Sequence, residues 1–128
     1  MRVKIKDKEW EVRESAVNPS DRYFIYAFDQ GTHIGIAELT RFDDGEYNDD
    51  PYLWFNRLYV DPMYRQRGIA DYFMQRVVDF ARSANLPIVN TIIPYGDMNL
   101  HQLLRFFENF GFEQQESEDD LALVVFKP

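Results

Sequence analysis

A chain of 128 residues, 45% apolar and 16% aromatic, has the material for one packed domain and argues against disorder. Its formal charge of −8 lacks the basic field that nucleic acid or anionic lipid demands, so neither is an expected partner. The absence of cysteine removes disulfides, thiolate metal sites and thiol nucleophiles. His33 and His101, its two histidines, are too far apart for a paired-histidine motif, so no metal centre is expected. Nothing in the chain reads as a signal peptide or a membrane span, and a cytoplasmic protein is expected.

In chain order, residues 3–13 mix β-branched side chains with alternating charge, which predicts an edge strand or a hairpin around Asp7-Lys8. Residues 15–21 read as a loop. The aromatic, β-branched run Tyr23 to Phe28 is a strand, and Gln30-Gly31 turns it into a hairpin partner at residues 32–41. An acidic loop with Asp43, Asp44, Glu46, Asp49 and Asp50 leads to a long strand, Tyr52–Val60, which Asp61-Pro62 stops. From Gly68 the period changes: Ile69, Phe73, Val77, Phe80, Ala81 and Ala84 form the stripe of an amphipathic helix that Asn85 and Pro87 end. Residues 87–93 suit a short buried strand. A second helical stripe follows through Leu100, Leu103, Leu104, Phe107 and Phe110, ended by Gly111, and residues 121–126 form a last strand. The order is β-hairpin, β, α, β, α, β, a mixed sheet with one parallel pair.

A parallel strand–helix–strand unit places its ligand at the carboxyl ends of the strands, so the turn from Val60 into the helix is where chemistry is expected. Helix starts normally carry acidic or hydroxyl caps. This one is approached through Arg65, Gln66 and Arg67, and its first acidic residue is Asp71. Two cations at a positive helix end are unfavourable unless an anion sits there, and Gly68 lets a ligand approach the backbone N–H groups. The features describe a phosphate or pyrophosphate seat, and they equally suit two solvated arginines at a surface turn. Neither the Gly-Lys-Ser/Thr phosphate loop nor the three-glycine dinucleotide fingerprint is present.

The stretch Val60-Asp61-Pro62 followed by Arg65-x-x-Gly68-x-Ala70 resembles the Gln/Arg-x-x-Gly-x-Gly/Ala signature of the GNAT family of N-acetyltransferases. The hairpin strand around Ile34-Gly35-Ile36-Ala37 is similar to that family's third strand, and the helix ending in Gly111-Phe112 to its late helix; the likeness covers residues 22–126. It implies an α/β (α+β) fold: a GNAT-like mixed, mostly antiparallel central sheet with a parallel splayed pair, flanking helices and a short N-terminal helical region, as one domain over residues 1–128.

The resemblance also implies a chemistry. Acetyl-CoA would be the cosubstrate, its pantetheine arm hydrogen-bonded to backbone at Leu58, Tyr59 and Val60 between the splayed strands. Its pyrophosphate would take N–H groups of Arg65, Gln66, Arg67, Gly68, Ile69 and Ala70, and Asn99 would correspond to a family asparagine that touches pantetheine. A backbone N–H near Leu58 to Val60 would polarise the thioester carbonyl, and a neutral primary amine would attack it directly.

Glu38 is the first candidate for the base, against its reading as an outward-facing strand carboxylate; Asp97 and His101 come after it. The chain departs from the pattern at Phe107, where family members carry a tyrosine acid. Tyr95, and after it Tyr64, are the candidate replacements, each also readable as a packing aromatic. Family members insert helices where this chain has only residues 15–21, so the acceptor pocket is expected to be open or completed by a second subunit in a homodimer. The acidic loop would steer a cationic acceptor such as a polyamine, an aminoglycoside or a lysine or N-terminal amine. Two alternatives stand beside the transferase: an acyl-CoA-binding module without efficient transfer, and an acidic protein-interaction domain.

Overall fold

At Lys6 the chain enters the left-handed region (φ 56°), and there it folds back, pairing β1 (Arg2–Ile5) antiparallel with β2 (Lys8–Glu14) in the register Val3↔Trp10. The computed structural model describes residues 1–15, 22–43, 50–92, 99–118 and 121–128. The further elements are β3 (Arg22–Asp29), β4 (Thr32–Phe42), β5 (Tyr52–Val60), helix α1 (Ile69–Ala84), β6 (Ile88–Ile92), helix α2 (Leu100–Glu108), β7 (Phe112–Glu118) and β8 (Leu121–Phe126). The strands run β1-β2-β3-β4-β5-β6-β8-β7 in one sheet. Strands β1 to β4 pair antiparallel in succession, as do β6 with β8 and β8 with β7. Strands β5 and β6 are parallel, at Leu53↔Ile88 and Trp54↔Val89. The expected mixed sheet with flanking helices is therefore present. The short N-terminal helical region, all but Ser15 of the loop over 15–21 and most of the acidic loop lie outside the described residues.

The chain forms two compact units, Met1–Arg41 with Phe55–Val77, and Phe42–Trp54 with Val78–Pro128. In the first unit, β3 and β4 pair Tyr23↔Leu39, Ile25↔Ala37 and Ala27↔Gly35, with a register shift after Ala27. All of these but Tyr23 are small or apolar because the face they share carries the first half of α1, where Phe73, Met74 and Val77 are fully buried. Gly35 is required by packing: a Cβ there would stand 3.0 Å from the Phe73 ring and 3.1 Å from the Tyr59 carbonyl oxygen. Where β2 ends, the Ser15 N–H donates to the Phe24 carbonyl (2.9 Å) and the Phe24 N–H to Ser15 Oγ (3.2 Å).

In the second unit, α1 ends as expected: Asn85 takes a left-handed φ of 56°, and the Leu86 N–H closes back on the Ala81 carbonyl at 3.1 Å. Phe107 of α2 packs edge-on against Phe112 (5.1 Å between centroids), and Phe112 against Phe126 (5.6 Å). Strand β7 is absent from the order expected from the sequence. Its residues are FEQQESE, with Phe112 their one apolar side chain, and it pairs with β8 at the sheet's edge, where a polar strand is tolerated. Among the described residues no helix is long and apolar enough to cross a membrane.

Candidate cofactor site

The exit of β5 is anchored before the chain reaches α1. The Asp61 N–H donates to the Ile34 carbonyl at 2.8 Å, so β4 holds the end of β5. Asp61 then caps a single 3-10 turn, Pro62–Tyr64, its carboxylate accepting from the Met63 N–H at 3.0 Å. Pro62 suits the first position of that turn, having no N–H to leave unpaired.

Arg65 follows with an extended backbone (φ −72°, ψ 160°), and its Nε donates to the Val60 carbonyl at 2.9 Å. The guanidinium lies over the Tyr59 ring, 5.9 Å from its centroid. Gln66 (φ 64°) and Gly68 (φ 87°) are left-handed, and alternation of this kind turns successive N–H groups to one side. The first helical bond runs from the Tyr72 N–H to the Gly68 carbonyl at 3.0 Å. The N–H groups of Ile69, Ala70 and Asp71 therefore have no acceptor within the helix. Those of Gln66, Arg67 and Gly68 donate to no protein group among the described residues.

Arg65, Gln66, Arg67, Gly68, Ile69 and Ala70 are thus brought together, with a helix start that has a glycine where a capping side chain would normally sit. Orphan donors, two cations and a position without a Cβ fit a phosphate group. Leu58 is half-buried, Tyr59 exposed and Val60 buried, all three in the strand that leads to this loop.

The first hairpin packs on the loop. A Cβ on Gly68 would meet Ile5 Cγ2 at 3.1 Å and Lys6 Cε at 3.3 Å, and the Lys6 ammonium donates to the Gln66 carbonyl at 3.4 Å. The Tyr64 hydroxyl donates to Asp29 Oδ2 at 3.0 Å, while Lys8 pairs with Asp29 Oδ1 at 3.2 Å. Lys8 first, and Tyr64 after it, hold the Asp29 carboxyl below its ordinary value. The hydrogen bond to Asp29 raises Tyr64 in turn. Trp10 meets Tyr64 edge-on at 5.7 Å, and Arg67 lies over the Tyr64 ring at 5.4 Å.

Glu38 is not an outward-facing, solvated strand carboxylate: it is 7% exposed, and it is the buried charged residue among those described. Its Oε2 accepts from both Nε and Nη2 of Arg22, the former at 2.9 Å, across the β3–β4 pair. Oε1 takes no hydrogen bond from the described residues. The pairing raises the Arg22 guanidinium above its ordinary value, mainly through that hydrogen bond. Arg22 had no signal in the sequence, because the contact depends on strand register.

The remaining candidates divide. Asn99 belongs to the second unit, where it caps α2: its Oδ1 accepts from the Gln102 N–H at 2.9 Å, and Gln102 Oε1 from the Asn99 N–H at 3.0 Å. His101 is exposed, 3.2 Å from Arg105 Nη2. Phe107 is 4% exposed, a core aromatic. Tyr95 and Asp97 lie outside the described residues.

A polar cluster unsuspected from the sequence stands on the α1 face of the first unit. Arg76 Nε and Nη2 donate to the two carboxylate oxygens of Glu14, each at 2.8 Å, and the Tyr23 hydroxyl donates to Oε1 at 2.6 Å.

The sequence matches the family model described as the acetyltransferase (GNAT) family over residues 3–112. No curated protein matches it. Among solved structures it is similar to a PaiA N-acetyltransferase from Thermoplasma acidophilum in complex with coenzyme A, at 19% identity and a TM-score of 0.61, over 84% of this chain and 62% of that one. It is also similar to Arabidopsis thaliana NAA60 in complex with a bisubstrate analogue, at 16% identity and a TM-score of 0.66, over 84% of this chain and 75% of that one. A Klebsiella pneumoniae protein assigned as an acyl-CoA N-acyltransferase is alike over 92% of this chain and 97% of its own, at 10% identity and a TM-score of 0.66. At these identities the likeness is one of fold.

Proposed function

The chain belongs to the GNAT acetyltransferase family, and from that premise we propose that it is an acetyl-CoA-dependent N-acyltransferase that moves an acetyl group to a primary amine. The observation that carries the reading is the loop at the start of α1. There a helix without a capping side chain gathers orphan N–H groups and two arginines, an arrangement costly without an anion. As cosubstrate, acetyl-CoA supplies an activated thioester carbonyl. Residues Arg65 to Ala70 bind the pyrophosphate, and backbone groups of Leu58, Tyr59 and Val60 orient the pantetheine arm and polarise the carbonyl.

The amine nitrogen forms its bond to the carbonyl carbon, and the carbon–sulfur bond breaks. Glu38 accepts the ammonium proton through Oε1, the oxygen that Arg22 leaves open. The departing thiolate takes a proton from Tyr95 or from solvent, since Phe107 has none to give. The acceptor is a cationic small molecule, a lysine side chain or an N-terminal amine, drawn to an acidic surface of net charge −8. Asn99, with its Oδ1 already accepting from Gln102, keeps its Nδ2 donors for a ligand.

The test is thiol release from acetyl-CoA in the presence of a polyamine, an aminoglycoside, a lysine peptide and a peptide with a free N-terminus. Release stimulated by at least one amine is the expected outcome. Failure to bind acetyl-CoA at millimolar concentration would overturn the reading. A second reading has a specific observation behind it: Phe107, buried where the family's tyrosine acid stands, suits a module that holds acyl-CoA without efficient transfer. Tight binding with no amine-dependent release would favour that module.

A further inference from the structure

Two left-handed residues that are not glycine, Lys6 and Gln66, meet through one hydrogen bond although sixty positions separate them. A left-handed conformation is unfavourable for side chains of this kind, and it persists where surrounding structure imposes it. Here each supports the other. The hairpin turn projects Lys6 onto the loop that precedes α1, its Cε 3.3 Å from where a Cβ on Gly68 would stand, and its ammonium donates to the carbonyl of Gln66. An ammonium has three donors, and the single bond to Gln66, at 3.4 Å, engages one of them weakly.

Charge points the same way. In a chain with 22 acidic and 14 basic residues, Lys6, Arg65 and Arg67 all attend this loop, and none is in an ion pair among the described residues. Lys8, the next cation along the hairpin, is by contrast neutralised by Asp29.

We propose that Lys6 is a phosphate-binding residue of the cofactor site, which holds the loop through Gln66 and offers its remaining N–H donors to a phosphate oxygen of coenzyme A. The inference rests on the acetyl-CoA-dependent function proposed for this site. It extends the site beyond the residues of the signature to a turn near the start of the chain. The phosphate is either in the pyrophosphate or at the 3′ position of the ribose, and the ligands of the test separate the two.

The experiment measures dissociation constants of coenzyme A and dephospho-coenzyme A by titration calorimetry, and of pantetheine by chemical-shift titration. The proteins are the wild type, Lys6→Arg and Lys6→Gly. Glycine suits the left-handed turn, so Lys6→Gly removes the ammonium without straining the backbone. Lys6→Gly is expected to weaken coenzyme A roughly five- to tenfold, with a loss that shrinks as salt is raised, and to leave pantetheine unchanged. Lys6→Arg, which keeps the charge, should restore most of the affinity. If dephospho-coenzyme A shows the same loss, the contact is to the pyrophosphate; if it shows none, the contact is to the 3′-phosphate.

Equal weakening of pantetheine would mean that Lys6 only supports the loop, and no weakening of any ligand would mean that it touches nothing; either result overturns the proposal. A wild type that fails to bind coenzyme A at all would instead overturn the transferase reading, so the two failures are distinct.

Discussion

Glu38 and Glu14 are two glutamates on strands of one sheet, each met by an arginine, and their settings differ. Arg22 reaches Glu38 with its guanidinium side chain 56% exposed and engages one carboxylate oxygen, leaving the other open to a proton. Arg76 closes on both oxygens of Glu14, one of which also accepts from Tyr23, so both oxygens are already engaged by the protein. Glu38→Gln is accordingly expected to lower kcat roughly 10²–10⁴-fold at neutral pH with little change in acetyl-CoA affinity. Steady-state kinetics beside a binding isotherm would check it; an unchanged kcat would remove Glu38 from the mechanism.

For Glu14 the expected effect is on stability. The hydrogen bond from Arg76, and after it the one from Tyr23, pulls its carboxyl below the ordinary value of 4.5 against the opposing cost of burial. A lowered folded value contributes stability that is present above 4.5 and is lost as pH falls through the folded value below it. Glu14→Gln should thus cost about 1–2 kcal/mol near neutrality, a figure kept low because the Arg76 side chain is 40% exposed and screened. Urea unfolding of both proteins as a function of pH would show the gap narrowing below pH 4.5. Burial, followed by the bond to Glu14, raises the Tyr23 hydroxyl, so it stays a donor throughout that range.

At the scale of elements, α2 shows how a residue with an expected ligand role serves local structure. The reciprocal bonds between Asn99 and Gln102 satisfy two N–H groups at the helix start. Asn99→Ala should therefore cost about 1 kcal/mol of stability. If capping is its whole function, coenzyme A affinity will not change; a matching loss of affinity would support its expected place in the cofactor site.

What could be read in advance follows the same division between local and distant causes. Strands β3 to β5, β6 and β8 and both helices announce themselves through local periodicity, and the loop before α1 through charges that oppose the helix dipole. Strand β7 does not, because FEQQESE has no strand-like alternation of its own and becomes a strand by pairing with β8. Arg22, Arg76 and Lys6 were equally hidden: each acts on a residue 16, 62 or 60 positions away, and only register and packing bring the pairs together.

For the whole molecule, the dominant physical quantity is the charge of −8, which at long range opposes an anionic ligand and favours a cationic one, such as the acceptor proposed above. The local cations before α1 offset that repulsion only at short range. Raising salt from low to about 0.5 M should therefore lower kcat/KM for a polyamine several-fold, because the Debye length shrinks to a few ångströms. The same change should leave a singly charged amine much less affected. Stopped-time assays across a salt series would measure both, and equal responses would show that the acidic surface plays no part in acceptor capture.

The paired hydrogen bonds between Ser15 and Phe24 have a consequence for how such a chain can diversify. They tie the end of β2 to the start of β3, holding the two ends of the connecting segment together. Lengthening a loop whose ends are already held is inexpensive, about 0.6 kcal/mol for each doubling. This position is a socket: an insert of chosen sequence could be grafted there while β2, β3 and α1 keep their register.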